Sequence, residues 1–460
     1  MSGAIEKRVE MKIRQFKPYP EYADSGVEWI GSIPTHWGTE PLFTVARERK
    51  QRNAGNRVEN VLSLSYGKIV QRDVATNLGL LPESFDTYQL VEPGNIVLRL
   101  TDLQNDKRSL RVGLVEEIGI ITSAYLGLDL HRRLTPSYGF YLLHAYDVIK
   151  VFYALGAGVR QTMKFDDLKW MPILLPKADE QLAIAAFLNR ETANIDALLT
   201  KNEQLIELLQ EKRTALITRA VGKGLDPNVP VKDSGVEWLG EIPAQWEVVR
   251  LGRLAAIGNG STPRRENAGY WLDGQHAWLT SSKINEENIA VADEFVTDLA
   301  LRECHLPIVP AGSVLVAITG EGQTRGRAAL LQIRATISQH LAFVYPRDPR
   351  LDSTFLWRAF QSQYEWLRME SSGGGSTRAA LTCDYLRSVR IAVPPLSEQI
   401  EVVKFIAAGE ATVLALIRKI TEGIDCLNEL RTALIFAAVT GKIDVRHEVP
   451  DVDLDRPHTG

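Results

Sequence analysis

The sequence predicts an α/β chain of the α+β type. Two globular parts with mixed β-sheet are separated by two long antiparallel helices of coiled-coil character, all from one internal duplication. Three observations carry that expectation. DSGVEWIGSIPTHW (24–37) returns as DSGVEWLGEIPAQW (233–246) with ten of fourteen positions identical. EQLAIAAFLNRETANIDALL (180–199) meets EQIEVVKFIAAGEATVLALI (398–417), and RTALI (213–217) meets RTALI (431–435), both at an offset of 218. PGNIVL (93–98) meets AGSVLV (311–316) at the same offset, so the landmarks recur in one order and mark two copies of one unit.

Each copy divides in the same way. The first globular domain, 20–155, alternates short β-like runs such as VLSLS (61–65) and NIVLRL (95–100) with Gly, Pro and Asp turns, then closes on the amphipathic helical stretch GFYLLHAYDVIKVFY (139–153). A helical region, 156–225, follows, with a long helix expected at about 178–220. The second globular domain, 233–372, repeats the plan with SVLVAI (313–318), HLAFVY (340–345) and TFLWRAFQSQYEWLRM (354–369). Its helical region, 373–446, carries a long helix at about 396–439, and an acidic tail, 447–460, is expected to lack order. GAGVRQTMKFDDL (156–168) and GGGSTRAALTCDYL (373–386) are a looser pair of loops at the head of the helical regions.

The long helices rest on a 3.5-residue apolar period. In the first, the seam is Ile184, Leu188, Ile195, Leu198, Leu205, Leu209 and Leu216, broken by Glu191, Asn202 and Lys212, with no proline between Pro176 and Pro227. In the second it is Val402, Ile406, Val413, Leu416, Ile420, Leu427, Leu430 and Leu434, broken by Gly409 and Gly423. At 1.5 Å per residue, some 40 residues make a rod of roughly 60 Å. Such a seam has to be covered, and the two copies within one chain are the nearest partners. Asn202 either sets register or marks a splayed point. The two glycines mark either close helix approach or weak spots costing about 1 kcal/mol each relative to Ala. The repeated Trp-rich passage stands where the chain enters each globular part, so Trp29, Trp37, Trp238 and Trp246 are expected to pin a joint by burying aromatic area.

Composition bounds the function. Hydrophobic residues at 45% and charged residues at 24% are ordinary for a globular chain. No apolar run reaches 18 residues, so no membrane span is expected. The amino terminus, MSGAIEKRVEMKIRQFK, has charges where a signal peptide needs an apolar stretch, which makes a reducing cytoplasm the expected address. Cys304, Cys383 and Cys426 are far apart and have no CxxC or His spacing of a metal site. The net charge of −4 gives no global attraction to nucleic acid, so any such role must rest on local patches.

Catalytic patterns fail one by one. There is no GxxxxGK[ST]; TGEGQTRG (319–326) departs from GxGxxG spacing; AVPPLSEQ (392–399) lacks the residues flanking an amino-methyltransferase motif; PDVDLDR (450–456) has no nearby lysine to complete a nuclease set. Neither catalytic residue nor metal site is expected. Three basic, polar loops remain. RERKQRNAGNR (47–57) contributes Arg47, Arg49, Lys50, Arg52 and Arg57; GNGSTPRRENAGYW (258–271) contributes Ser261, Thr262, Arg264 and Arg265; GEGQTRGR (320–327) contributes Gln323, Thr324, Arg325 and Arg327. Arg and Gln suit base edges, while Lys, Ser and Thr suit phosphates, which makes these the candidate DNA-binding residues. Any one of them alone is more readily an ordinary solvated loop side chain; it is the group, in a duplicated spacer architecture, that carries the reading.

SGVEWLGEIPAQWEVVRLG, the Gly-Ser-Thr-Pro loop followed by Tyr270-Trp271, the GGGSTR loop and PPLSEQ opening a long helix together resemble the specificity subunit of type I restriction-modification enzymes. The resemblance covers about residues 20–446. The first copy departs from it, with PKADEQ in place of PPLSEQ and no Gly-Ser-Thr-Pro loop near Arg52. The resemblance implies two target-recognition domains, each reading one half of a bipartite sequence in double-stranded DNA. It also implies helices that set the spacing and dock two modification (methyltransferase) subunits, with helicase-nuclease restriction subunits joining them. The chain itself would hold no cofactor; S-adenosylmethionine, ATP and Mg would belong to those partners. A coiled-coil tether carrying two protein- or ligand-binding modules is the competing reading, and a stand-alone methyltransferase is opposed by the missing motifs.

Overall fold

A computed structural model describes residues 13, 15–72, 84–103, 106, 109–155, 162–320, 323–372 and 380–448. Residues 449–460, nearly all of the expected acidic tail, and the glycine-led first parts of the two loops, 156–161 and 373–379, lie outside the described residues. The chain groups into two units, Met1–Glu203 with Ile420–Gly460, and Gln204–Lys419.

The strands of unit 1 are short, as turn residues at this density require. They are β1 (Tyr22–Asp24), β2 (Ser32–Pro34), β3 (Gly38–Pro41), β4 (Ala46–Glu48), β5 (Leu62–Ser65) and β6 (Lys68–Gln71). After these come β7 (Gln89–Val91), β8 (Ile96–Leu98), β9 (Val112–Leu114), β10 (Gly119–Ile121), β11 (Leu126–Leu130) and β12 (Pro172–Leu175). Its largest sheet runs β4-β11-β8-β9, and β3 pairs with β12. Ile96, Leu98 and Leu128 of that sheet pack against helix α1 (Pro136–Val148), which buries Tyr138, Leu142 and Tyr146. Pro136 sits in the first turn of α1, where its missing N–H costs nothing. A short helix α2 (Val151–Leu155) follows, and α3 (Ala178–Lys223) is the first long helix.

Unit 2 repeats the plan with additions. Its strands are β13 (Val231–Asp233), β14 (Glu241–Pro243), β15 (Glu247–Arg250), β16 (Ala255–Asn259), β17 (His276–Leu279) and β18 (Asn288–Ile289). The remainder are β19 (Glu294–Val296), β20 (Val314–Ala317), β21 (Ala328–Leu331), β22 (Thr336–Ile337), β23 (Leu341–Pro346) and β24 (Arg390–Val393). The order β16-β23-β20-β21 reproduces β4-β11-β8-β9, with β18 added in parallel, and β15 pairs with β24 as β3 does with β12. A separate sheet, β19-β17-β22, is more extensive than anything at that place in unit 1, where its parallel β17–β22 pairing is represented by the single parallel bridge Val61–Ile120. Helices α4 (Ser353–Ser362), α5 (Tyr364–Ser372) and the second long helix, α6 (Leu396–Val439), complete it. Asp352 caps α4 by accepting from Phe355 N at 2.8 Å.

The two copies meet their long helices through one device. In unit 1 the Trp37 indole N–H donates to Glu180 in the first turn of α3 at 3.0 Å, and the next residue, Gln181, accepts from Thr135 N at 2.8 Å. The Gln181 amide also donates to the carbonyls of Arg133 and Pro176, both at 2.9 Å. In unit 2 Trp246 donates to Glu398 at 2.9 Å, Gln399 accepts from Asp352 N at 2.9 Å, and the Gln399 amide reaches the carbonyls of Arg350 and Pro394. PKADEQ therefore does the same work as PPLSEQ. Trp37 and Trp246 are buried, as the joint requires, but Trp29 is exposed and Trp238 only half-buried against Trp366. The first tryptophan of each passage thus does not pin the joint; the second does, because it alone has an acceptor waiting at a helix start.

The helices run antiparallel where they meet. In unit 1 Asp196 of α3 pairs with Arg431 of α6 at 3.0 Å, and Ile184, Leu188 and Ile195 share a core with Leu434, Ala438 and Val439. In unit 2 Arg213 of α3 pairs with Glu410 of α6 at 2.7 Å, and Ile217 and Val221 share a core with Val402 and Ile406. Of the remaining seam positions, Leu209 and Val413 are buried and Leu216, Ile420, Leu427 and Leu430 half-buried, whereas Leu198, Leu205 and Leu416 are exposed. Near the middle of α3 it is Leu199, Asn202 and Ile206 that are half-buried instead. The reason is the helical period: 3.6 residues per turn drifts about 20° per heptad away from a 3.5-residue seam. The glycines also separate. A Cβ on Gly409 would lie 2.6 Å from Leu216 Cδ1, so the helices approach closely there, while one on Gly423 would meet nothing within 4 Å.

One buried slot is filled differently in the two copies. In unit 1 Tyr141 of α1 bonds Asn189 and Thr192 of α3 at 2.9 and 3.1 Å, a neutral contact. In unit 2 the corresponding places hold Arg358 and Glu410, a buried two-pronged ion pair.

Candidate nucleic-acid interface

In unit 2 the Gly-Ser-Thr-Pro loop leaves β16 beneath a backbone that admits no side chain: a Cβ on Gly260 would lie 1.7 Å from the Ile337 carbonyl oxygen. Ser261 N then donates to that carbonyl at 3.1 Å, and Ser261 O accepts from the Trp278 indole at 3.1 Å. Arg265 lies over the Trp271 and Trp278 rings at 4.0 and 5.0 Å and forks onto Glu294 at 2.6 and 2.9 Å. That carboxylate holds its pKa above the ordinary arginine value. Its fork is occupied, so Arg265 shapes the loop. Arg264 is exposed; its carbonyl accepts from Trp271 Nε1 at 3.1 Å, and its guanidinium has no partner among the described residues.

The second loop of unit 2 lies between β20 and β21. Gly326 N donates to Ala317 O and Ala317 N to Arg327 O, both at 2.9 Å, extending the ladder into the loop. That extension draws Arg325 inward to 9% exposure, so this candidate DNA-binding residue is a buried side chain. Arg327 is half-buried, donating to Asn285 at 3.0 Å and to Gln323 at 3.3 Å. Tyr364 OH holds the Gln323 carbonyl at 2.6 Å, and Thr324 O accepts from Arg327 N at 3.1 Å. Gln323 itself is exposed.

These two loops, 60 residues apart in sequence, are tied by side chains that sequence reasoning passed over. The Thr262 hydroxyl donates to Gln339 Oε1, Gln339 Nε2 meets His340 Nε2 at 3.2 Å, and His340 Nδ1 meets the Thr319 hydroxyl at 2.6 Å. With Gln339 donating, His340 accepts at Nε2 and carries its proton on Nδ1. The signal for this link was only a Gln-His pair before a β-like run, which spacing alone does not distinguish.

In unit 1 the basic stretch splits. Arg49 is 7% exposed and fully engaged, with Leu90 O at 2.5 Å, Asp129 at 2.9 Å, Gln51 at 3.0 Å and Glu92 at 3.0 Å. It belongs to the sheet and not to a reading surface, because four acceptors converge where β4 meets β11. Arg47 is exposed but leans on Asp129 at 3.4 Å, and Lys50 pairs with Glu48 at 3.0 Å. Arg52 and Arg57 are exposed with no side-chain partner among the described residues. The turn between them is built by Asp86, which accepts from Gly55 N and Asn56 N at 2.8 and 3.1 Å. The Ser84 hydroxyl and these amides hold its carboxyl below the ordinary aspartate range.

Among the described residues, no cluster of three His, Cys, Asp or Glu could hold a metal, and no helix is long and apolar enough to cross a membrane. What the surfaces offer is basic and amide side chains on shaped loops, suited to phosphates and base edges.

Comparison with known proteins agrees with this architecture. Residues 243–425 match the model of the type I restriction modification DNA specificity domain. The chain is 26% identical over 434 residues to a protein of Methanocaldococcus jannaschii provisionally named the type I restriction enzyme MjaX specificity subunit, covering 91% of this chain and 96% of that one. It is 24% identical over 281 residues to the EcoR124I/EcoR124II specificity subunit of Escherichia coli, covering 61% and 64%. In fold it is similar to a chain solved in a study of assembly and conformational transition of the type I R-M system, with TM-score 0.61, 18% identity and coverage of 88% and 98%. It is also similar to the HsdS subunit from Thermoanaerobacter tengcongensis, with TM-score 0.51, 17% identity and coverage of 89% and 98%.

Proposed function

We propose that this chain is a type I restriction-modification specificity subunit that reads DNA through one surface on each unit. The reading is supported by the match of residues 243–425 to the specificity domain and by the similarity to the MjaX specificity subunit along nearly its whole length. It is a reader and not a catalyst. Each unit takes one half of a bipartite target, while the long helices set the spacer and dock two methyltransferase subunits. S-adenosylmethionine, ATP and Mg belong to the methyltransferase and helicase-nuclease partners, and the complex works in the cytoplasm.

One observation carries this reading furthest. In unit 2 two polar loops distant in sequence are joined through Thr262, Gln339, His340 and Thr319, with Arg264 exposed and unengaged beside them. A tether for protein modules would have no need of such a constellation. The test is selection from a random DNA library by the full chain with its methyltransferase subunits. Arg264→Ala should relax one half of the selected sequence and leave the other intact, at a cost of about 1–3 kcal/mol for a lost base contact. An unchanged consensus in both halves removes this loop from the reading surface, and no consensus from the wild type removes the DNA reading altogether.

A further inference from the structure

The turn that enters β23 is built alike in the two copies but carries different side chains. Leu128 faces Ile96 in unit 1 and Val344 faces Val314 in unit 2, so the turn before β11 corresponds to the turn before β23. Each is closed by one backbone bond, Tyr125 N to Thr122 O at 3.1 Å and Leu341 N to Ser338 O at 3.2 Å. At the two tip positions unit 1 has Ser123 and Ala124, whereas unit 2 has Gln339 and His340, all four exposed. The turn therefore folds without an amide or an imidazole, and the pair in unit 2 needs another reason.

The surroundings hold Gln339 in one place. The chain at Ser261 is pinned from both sides, its N–H on the Ile337 carbonyl and its carbonyl on the Trp278 indole, each at 3.1 Å. That brings Thr262, next in sequence, to the turn that follows Ile337, where its hydroxyl donates to Gln339 Oε1. Gln339 Nε2 donates to His340 Nε2 at 3.2 Å, and the His340 proton, on Nδ1, goes to the Thr319 hydroxyl at 2.6 Å. A side-chain amide has two N–H groups and two oxygen lone pairs. Thr262 takes one lone pair and His340 one N–H, which leaves one of each on an exposed group. Among the four bases only adenine offers the complement of that remainder in the DNA major groove, an acceptor at N7 beside a donor at N6. Guanine offers two acceptors there, cytosine a donor and thymine an acceptor. A glutamine already held by its neighbours also loses less rotamer freedom on contact than a free one.

We propose that Gln339 reads an adenine in the half of the target taken by unit 2, with Thr262 and His340 as the residues that position it. The proposal rests on the DNA-recognition role given above and adds the base that is read and the side chain that meets it.

The test uses the full chain with its methyltransferase subunits and selection from a random DNA library, scored position by position. Gln339→Ala should cut the preference for adenine at one position about tenfold. That position should lie in the half-site that Arg264→Ala relaxes, and the other half-site should stay intact. Gln339→Glu, which has no N–H for adenine N7, should do the same. Thr262→Val and His340→Phe should each lose a few-fold at that same position, and Thr262→Ser, which keeps the hydroxyl, should retain the preference. Unchanged selection by both Gln339 variants overturns the proposal, as does an affected position at which the wild type selects a base other than adenine. Loss spread evenly over the half-site, the mark of a merely structural turn, overturns it too. A wild-type complex that selects no sequence would instead overturn the DNA-recognition role itself.

Discussion

Trp246 donates its indole N–H to Glu398 at 2.9 Å, and that bond joins the end of the repeated Trp-rich passage to the first turn of a helix 152 positions away. Trp37 and Glu180 make the same bond in the other unit, where His36 adds a second contact to the carboxylate at 2.9 Å. A hydrogen bond to a charged acceptor is worth about 1.5–3 kcal/mol. Trp246→Phe, which retains most of the ring but not the donor, should therefore lower stability by about that amount. Glu398→Gln, which keeps an acceptor, should cost less. Urea unfolding of the full chain measures both, and equal losses would mean that the ring's volume matters and the bond does not.

Gly409 and Gly423 should respond to alanine with opposite signs. A methyl on Gly423 would meet nothing within 4 Å, so Gly423→Ala gains about 1 kcal/mol of helix propensity. At Gly409 the new methyl is driven onto Leu216, and overpacking of this kind costs about 1–3 kcal/mol. Melting temperatures that rise for both would show that the helices have room to part at Gly409.

Breaking the ion pair of unit 2 from one side should be more damaging than replacing it whole. Glu410→Gln leaves Arg358 buried and uncompensated, at a cost of about 3–5 kcal/mol. Arg358→Tyr with Glu410→Thr imports the Tyr141–Thr192 contact of unit 1 and should recover most of that loss. Arg213 retains Glu287 as a partner in the double variant. A double variant no more stable than Glu410→Gln would show that the slot's shape, and not its charge balance, differs between the copies.

His144 gives the chain a measurable acid sensitivity. Burial, and then the nearby Arg431 charge, push its pKa down to about 4 from an ordinary value of about 6.5. The fold thus holds the neutral imidazole, and the unfolded chain binds the extra proton. Its contribution is intact above about pH 6.5 and is lost progressively as pH falls toward 4, by at most about 1.4 kcal/mol per pH unit. His144→Gln, the residue type found at Gln361 in the corresponding turn of α4, should flatten stability across that window relative to wild type. Parallel curves for the two proteins would place the acid sensitivity elsewhere.

The duplication, the two long helices and the general make-up of each unit were legible because they depend on periodicity and repeated words. A rod of more than 40 residues imposes a pattern that no loop imitates. The mid-helix seam was misread at Leu198, Leu205 and Leu416, since a half-residue error in period accumulates with length and becomes visible only far from where counting begins. The surface was harder. Arg49, Arg264 and Arg325 look alike in sequence, yet the first is bound into a sheet, the second is exposed and the third is buried. Which arginine finds an acceptor depends on strands brought together from 40 or more residues away, as Leu90 and Asp129 are brought to Arg49.

The unlike occupants of the α1 and α4 slots bear on how the newly made chain sorts itself. Two copies of one plan on a single polypeptide invite a helix segment to settle on the wrong copy, a characteristic failure of repeated architectures. Were the segment around Glu410 to settle against Tyr141, a carboxylate would be sealed in without a cation. The segment around Thr192 set against Arg358 would strand a guanidinium. Either mistake carries the several kcal/mol penalty of an unmatched buried charge, enough to make the misdocked form short-lived. A tyrosine–threonine contact in one copy and an arginine–glutamate pair in the other thus act as a key and its counter-key, letting two halves built on one plan find their own places as the chain leaves the ribosome.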